Sequence, residues 1–241
     1  MVGIRRAISL LFLSLFFWNF VLTALLGPDE VFACFAGLSV VYGLAFMGVA
    51  AEWFWARWFA IGVGNFGALS LLTLLQTGLE PTIAVFGASH LLISLLLGGE
   101  GMAARYEHSE ATAERWNFQE ESLVLLRRAI KSAGMSLPLL ILYTLAPRPE
   151  LLHIVALAAG GAGVFGLLRG RTWGLAGMGL AGSIALADGL GAFGPPTISY
   201  LLLTPSGSVV LWGSVFALLA GSMLAAPLLF ARPMLRFLRT R

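Results

Sequence analysis

RRAISLLFLSLFFWNFVLTALL, residues 5–26, opens on two arginines and then runs through positions 7–26 without a charge. A helix rises ~1.5 Å per residue, so a stretch of this length reaches across the ~30 Å hydrocarbon layer of a bilayer. An Arg-Arg pair before an apolar run also describes an export signal. Here the run is longer than a signal core, Thr23 to Gly27 offers no A-x-A cleavage site, and the Arg5-Arg6 pair lacks the rest of a twin-arginine context. The stretch reads as an uncleaved first membrane helix.

Working outward, seven further apolar stretches follow at 31–51, 58–77, 82–97, 132–146, 151–168, 172–190 and 208–230. The fourth and fifth are short for a span. The fifth is expected to begin earlier, with Arg127, Arg128 and Lys131 reaching the headgroups and Pro138 inside it. Composition agrees: 59% of residues are hydrophobic, 11% charged, and the mean hydropathy is +0.89. A water-soluble domain carries roughly a quarter charged residues. The predicted fold class is all-α, a polytopic membrane helix bundle of eight transmembrane helices in one integral membrane domain.

All but one of the 15 lysines and arginines then fall on one side. Arg5 and Arg6 precede the first segment and Arg57 lies between the second and third. Arg105, Arg115, Arg127, Arg128 and Lys131 separate the fourth from the fifth; Arg169 and Arg171 separate the sixth from the seventh; Arg232, Arg236, Arg239 and Arg241 close the chain. The other side carries Asp29, Glu30, Glu80, Arg148 and Glu150. Cytoplasmic loops carry the excess of basic residues, so both termini are expected in the cytoplasm, with the bacterial cytoplasmic membrane as the location. A net charge of +3 does not imply nucleic acid, because the cations are spread singly over short loops. They read as topology signals with some attraction to anionic lipid.

The third and seventh segments repeat one pattern. Trp58, Gly62, Gly64 and Gly67 match Trp173, Gly177, Gly179 and Gly182 in register, and the two copies follow Arg57 and Arg171. Proline with acidic residues opens the second and sixth segments, and Gly43 and Gly48 recur as Gly163 and Gly166. The expectation is a 4+4 parallel internal repeat, with halves at 1–98 and 132–241 joined by an amphipathic cytoplasmic connection at 99–131. Four spans per half give both halves the same orientation. The same glycines match G-x-G-x-x-G, but no strand precedes either copy, so close helix packing explains them better than a dinucleotide.

Chemistry inside the membrane would have to come from a few polar residues. Asn65 and His90 fall at a similar depth, ~10 to 12 Å below the inner surface, where they either hold two helices together or line a polar pathway. Glu30, Glu150, His153 and Asp188 form an outer polar layer in which a His-Asp contact is geometrically possible. A haem between His90 and His153 fails because the two lie roughly 15 Å apart in depth, against ~4 Å between axial nitrogens. Cys34 is the single cysteine, which excludes an internal disulfide and any cysteine-based metal site. No zinc-protease, nucleophile-elbow or P-loop motif occurs, so no catalytic, cofactor or metal residue is assigned.

In the connection, Trp116 and Phe118 belong to an amphipathic stretch suited to the membrane surface or to a docking partner. The stretch from 189 to 206 is long enough for a short interfacial or re-entrant piece. The reading that demands least of these residues is a non-enzymatic accessory or regulatory membrane protein, binding a partner in the bilayer or through its cytoplasmic loop. A small transporter or channel with a polar pathway near Asn65 and His90 is the alternative. An intramembrane enzyme acting on lipid or isoprenoid would need polar groups converging in one pocket.

Overall fold

The structure, a computed structural model, describes residues 1–107, 120–144, 151–194, 199–204 and 207–239. Their regular secondary structure is helical apart from one hairpin. In order they form α1 (Val2–Leu26), α2 (Asp29–Ala50), α3 (Ala56–Ala68), a 3-10 turn (Leu69–Thr73), α4 (Leu74–Thr77), α5 (Pro81–Leu97), α6 (Glu100–Glu107) and α7 (Glu120–Thr144). Then come α8 (Leu151–Leu168), α9 (Trp173–Gly189), β1 (Ser199–Thr204), β2 (Gly207–Trp212), α10 (Gly213–Ala225), a second 3-10 turn (Ala226–Phe230) and α11 (Ala231–Arg239).

Among the described residues, four helical stretches are long and apolar enough to cross a membrane: Val2–Leu26, Asp29–Ala50, Ala56–Gln76 and Leu151–Leu168. A fifth is added if α5 and α6, bent by 70° at their junction, count as one. These helices are apolar all round. On α1 the buried stripe is Ser9, Leu13, Phe20 and Ala24, while Leu11, Leu15, Trp18, Leu22 and Leu25 lie open on the outside. Water would penalise such a surface; lipid tails accept it.

Local chemistry sets the breaks. Pro28 ends the link from α1 and precedes Asp29 and Glu30, which sit where the positive end of the α2 dipole favours them. The third span changes from α to 3-10 geometry where Ser70 Oγ donates to Gly67 O at 2.7 Å and Thr73 Oγ1 donates to Ser70 O at 2.6 Å, hydroxyls that compete with the ladder. The sharp turn from α5 into α6 runs through Gly99 at φ +83°, a conformation that a side chain would strain. The fifth segment does begin early, as α7 starts at Glu120 and contains Pro138 within its length.

The segment read as 208–230 starts differently from expectation. Its first residues lie in β2, which pairs antiparallel with β1 so that Tyr200 faces Leu211 and Leu202 faces Val209. β-branched Val209 and Val210 and aromatic Tyr200 and Trp212 favour extended backbone over helix. The helical part is correspondingly short, Gly213–Leu229 with its 3-10 extension.

Two rings of four helices result. In the first, α1 packs on α2, α2 on α3, α3 on α5, and α5 closes back on α1. In the second, α7 packs on α8, α8 on α9, α9 on α10, and α10 closes back on α7. The rings meet where α3 lies against α7, with α2 adding a smaller contact. Glycines make the tightest of these approaches. A Cβ on Gly62 would run into Lys131 O, and one on Gly134 would lie 2.5 Å from Phe59 O. Between α8 and α9, a Cβ on Gly163 would sit 2.5 Å from Met178 N and one on Gly174 2.6 Å from Leu167 N. Backbones this close maximise dispersion contact, a main force joining helices where lipid removes the hydrophobic drive.

Candidate functional site

At one end of the first ring, several arginines close helix C-termini. Arg6 donates to Ala50 O at 2.6 Å and to Val49 O at 3.3 Å, at the end of α2. Arg5 donates to Gly98 O at 2.7 Å and Arg57 Nε to Leu97 O at 2.8 Å, at the end of α5. Each guanidinium thus meets carbonyls left over by the helix and the negative pole of its dipole.

Two carboxylates organise this end. Glu52 turns the chain between α2 and α3 with φ at 54°, and it is the single non-glycine residue with positive φ among those described. Arg105 Nη2 reaches its Oε1 at 2.6 Å and Arg6 Nη1 at 2.5 Å. The Arg105 hydrogen bond is the largest influence holding the Glu52 carboxyl below the usual carboxylate range, with the Arg6 charge adding to it. Glu107, at the end of α6, is fully buried. It takes Arg57 and Arg127 on its two oxygens and accepts from Trp58 Nε1 at 2.6 Å. The Arg127 guanidinium also lies over the Trp58 ring, 5.9 Å from its centroid.

Deeper in the first ring, His90 is wholly buried between Phe16 and Phe86, with ring centroids 4.1 and 4.2 Å away. Its Nδ1 is 2.7 Å from Phe86 O and its Nε2 2.7 Å from Tyr42 Oη. A carbonyl only accepts, so Nδ1 carries the hydrogen. In the neutral ring Nε2 then accepts from the tyrosine hydroxyl, and both nitrogens are satisfied. Gly67 faces this imidazole so closely that a Cβ would collide with the ring, and Gly64 faces His90 O and Ser94. Two glycines of the repeated pattern therefore seat a histidine and its helix.

The expected partner of His90, Asn65, lies half-buried on α3 and shares no hydrogen bond with it. Tyr42 takes that place. It lies about two helical turns from the same end of its own helix as His90 does, so depth along the chain could have found it. By residue type alone, an aromatic in an apolar run reads as packing.

In the second ring His153 and Asp188 do come together. His153 Nε2 is 3.5 Å from Asp188 Oδ2, Tyr143 Oη donates to the same oxygen at 2.5 Å, and the Tyr143 ring packs 4.8 Å from the imidazole. His153 is buried, yet neither of its ring nitrogens has a hydrogen bond among the described residues. Glu30 is exposed in the first turn of α2 and joins neither residue by hydrogen bond or ion pair. Glu150, Trp116 and Phe118 lie outside the described residues. Cys34 is buried in α2. Among the described residues no group of three or more His, Cys, Asp or Glu side chains is placed to hold a metal ion.

Sequence reasoning did not single out Glu52, Tyr42, Tyr143 or Glu107, and it placed Arg57 in a loop as a topology signal. Arg57 carried one usable signal, since a lone arginine directly before an apolar run needs a buried partner or a carbonyl cluster. No protein-family model, curated protein or solved structure matches the chain, so its function rests on its own residues.

Proposed function

We propose that this chain is a non-enzymatic accessory or regulatory protein of a bacterial cytoplasmic membrane. It crosses the bilayer eight times as two four-helix halves, keeps both termini in the cytoplasm, and acts by binding a partner in the bilayer or through the connection at 99–131. The observation that carries the reading is the closure of His90: its two nitrogens are taken by Tyr42 and Phe86 O, and two phenylalanine rings wall it in. A group held in this way pins α2 to α5 and has no face left for a substrate or a file of water.

The duplicated architecture has its own support. Both rings share one neighbour order, and two of the three matched glycine pairs meet corresponding partners. Gly67 faces His90 on α5, as Gly182 faces Gly221 and Ala225 on α10; Gly64 faces Ser94 on α5, as Gly179 faces Leu228 just beyond α10. The third pair differs, with Gly62 against α7 and Gly177 against α8.

A photo-crosslinking amino acid at Trp116 or Phe118 tests the reading in cells. One defined protein adduct, lost when the connection is replaced by a neutral linker of equal length, is the expected result. Solute flux in proteoliposomes that His90→Ala abolishes, with the fold retained, would instead establish the transport alternative.

A further inference from the structure

Among the described residues, cations outnumber carboxylates at the junction of α3, α6 and α7. Arg57 and Arg127 share a single carboxylate, Glu107, and Lys131 lies one turn from Arg127 on α7, so three positive groups meet one negative group among the described residues. Lys131 follows Arg127 by one turn of α7 and is half-buried. Lys131 forms no ion pair with a described carboxylate. Arg127 places Nη2 on Glu107, while its Nε is buried with no hydrogen-bond partner among the described residues. Among the described residues, a buried guanidinium N–H without an acceptor and a half-buried lysine beside two arginines both lack the same thing, an anion with several oxygens.

We propose that the Arg57–Arg127–Lys131 junction binds the phosphate group of an anionic phospholipid. The chemistry fits on three counts. Arginine presents paired N–H groups that match phosphate oxygens, so one phosphate could accept from Arg127 Nε and from Lys131 together. Residual positive charge at a membrane surface attracts anionic headgroups. The junction also lies level with the end of α5, through Arg57 Nε on Leu97 O, where a crossing helix leaves the hydrocarbon. Val124, exposed at 37%, shares the α7 face with Arg127 and Lys131 and offers the lipid an apolar neighbour. The inference needs a membrane-embedded bundle and no particular protein partner.

The test uses the full-length protein in neutral detergent, with phosphatidylglycerol, phosphatidylcholine or inorganic phosphate added, and reads bound lipid by native mass spectrometry and stability by thermal shift. Phosphatidylglycerol should bind more tightly than phosphatidylcholine, and Lys131→Gln should weaken it by about fivefold. Arg232→Gln, on the C-terminal helix, should leave that preference intact and so controls for general surface charge. If inorganic phosphate at equal concentration gives the same shift, lost in Lys131→Gln, the site takes phosphate from solution instead of from a headgroup. Equal binding of the two lipids with no effect of phosphate overturns the proposal. So does a preference for phosphatidylglycerol that Lys131→Gln leaves unchanged. Arg127→Gln serves as a second variant, but it also removes a Glu107 partner, so Lys131→Gln carries the test.

Discussion

At the scale of single residues, His90 and Glu52 show two ways of keeping a polar group inside a membrane protein. His90 is enclosed and satisfied, so its worth lies in the Tyr42 hydroxyl. Tyr42→Phe should cost about 1 kcal/mol, in keeping with interhelical hydrogen bonds measured in lipid. Asn65→Ala should stay within about 0.5 kcal/mol of wild type. Reversible unfolding in detergent checks both, and a larger loss for Asn65→Ala would make the asparagine the true interior link. Glu52 sits at the rim, where the sign of a pH effect is defined. Its folded-state pKa is depressed, so its stabilisation is present above the ordinary carboxylate range and is lost as acid protonates it through the lower folded value. Melting temperature should therefore fall on acidification through that window. Glu52→Gln should start lower at neutral pH and fall less, by under about 1 kcal/mol because Glu52 is a third exposed and Arg105 more so. Superimposable pH profiles for the two proteins would remove Glu52 from the account. The identity of the buried histidines was legible in the sequence and their partners less so. Depth along a helix follows from counting residues, whereas the direction a side chain faces depends on neighbours that the count does not contain. His153 and Asp188 could be paired because both lie near one face of the membrane; Tyr143, which completes the group, looked like any aromatic close to an interface.

At the scale of elements, hydropathy located α8 residue for residue, α2 to within two residues and the end of α1 but not its start, because an uninterrupted apolar run has one solution in lipid. It performed less well where the run was broken by chemistry other than charge. Ser70 and Thr73 convert the third span to 3-10 geometry, and Val209 and Val210 draw the start of the last apolar run into a strand; neither event changes hydropathy. The glycines were legible as packing residues, though not which helix each would meet. That distinction gives a matched pair of substitutions. Gly62 faces the backbone of α7, so Gly62→Ala should cost about 1 to 3 kcal/mol by forcing α3 and α7 apart. Gly161, on α8, has nothing within 4 Å of its would-be Cβ, so Gly161→Ala should be neutral or stabilising by about 0.5 to 1 kcal/mol through helix propensity. Thermal melts of both variants in one detergent decide it. Equal losses would mean that the α3–α7 contact is looser than drawn.

For the whole molecule, the hydrogen bonds fix which helix ends lie together, and that constrains the crossings without reference to hydropathy. Arg5 and Arg57 tie the start of α1 and the start of α3 to the end of α5. Ser132 on α7 meets Met223 O near the end of α10, so the last helices return to the end that holds Arg127 and Lys131. Asp188, Tyr143 and His153 collect the opposite ends of α9, α7 and α8. Positions 26, 79 and 190 then share one face, and positions 100, 169 and 232 the other. In a Cys34→Ala background, where the buried native thiol cannot interfere, Leu26→Cys, Leu79→Cys and Leu190→Cys should label with an impermeant maleimide from outside intact cells. Glu100→Cys, Arg169→Cys and Arg232→Cys should label only after lysis. The six positions lie exposed at helix ends, and labelling of each in detergent establishes that silence in cells reflects sidedness and not burial. Labelling of 79 and 190 from different sides would separate the rings and break the parallel duplication, since both positions close the third element of a four-helix unit. Labelling of 100 and 232 from different sides would leave an odd number of crossings between them, and the concentration of cations at one end would then lose its explanation as a topology signal.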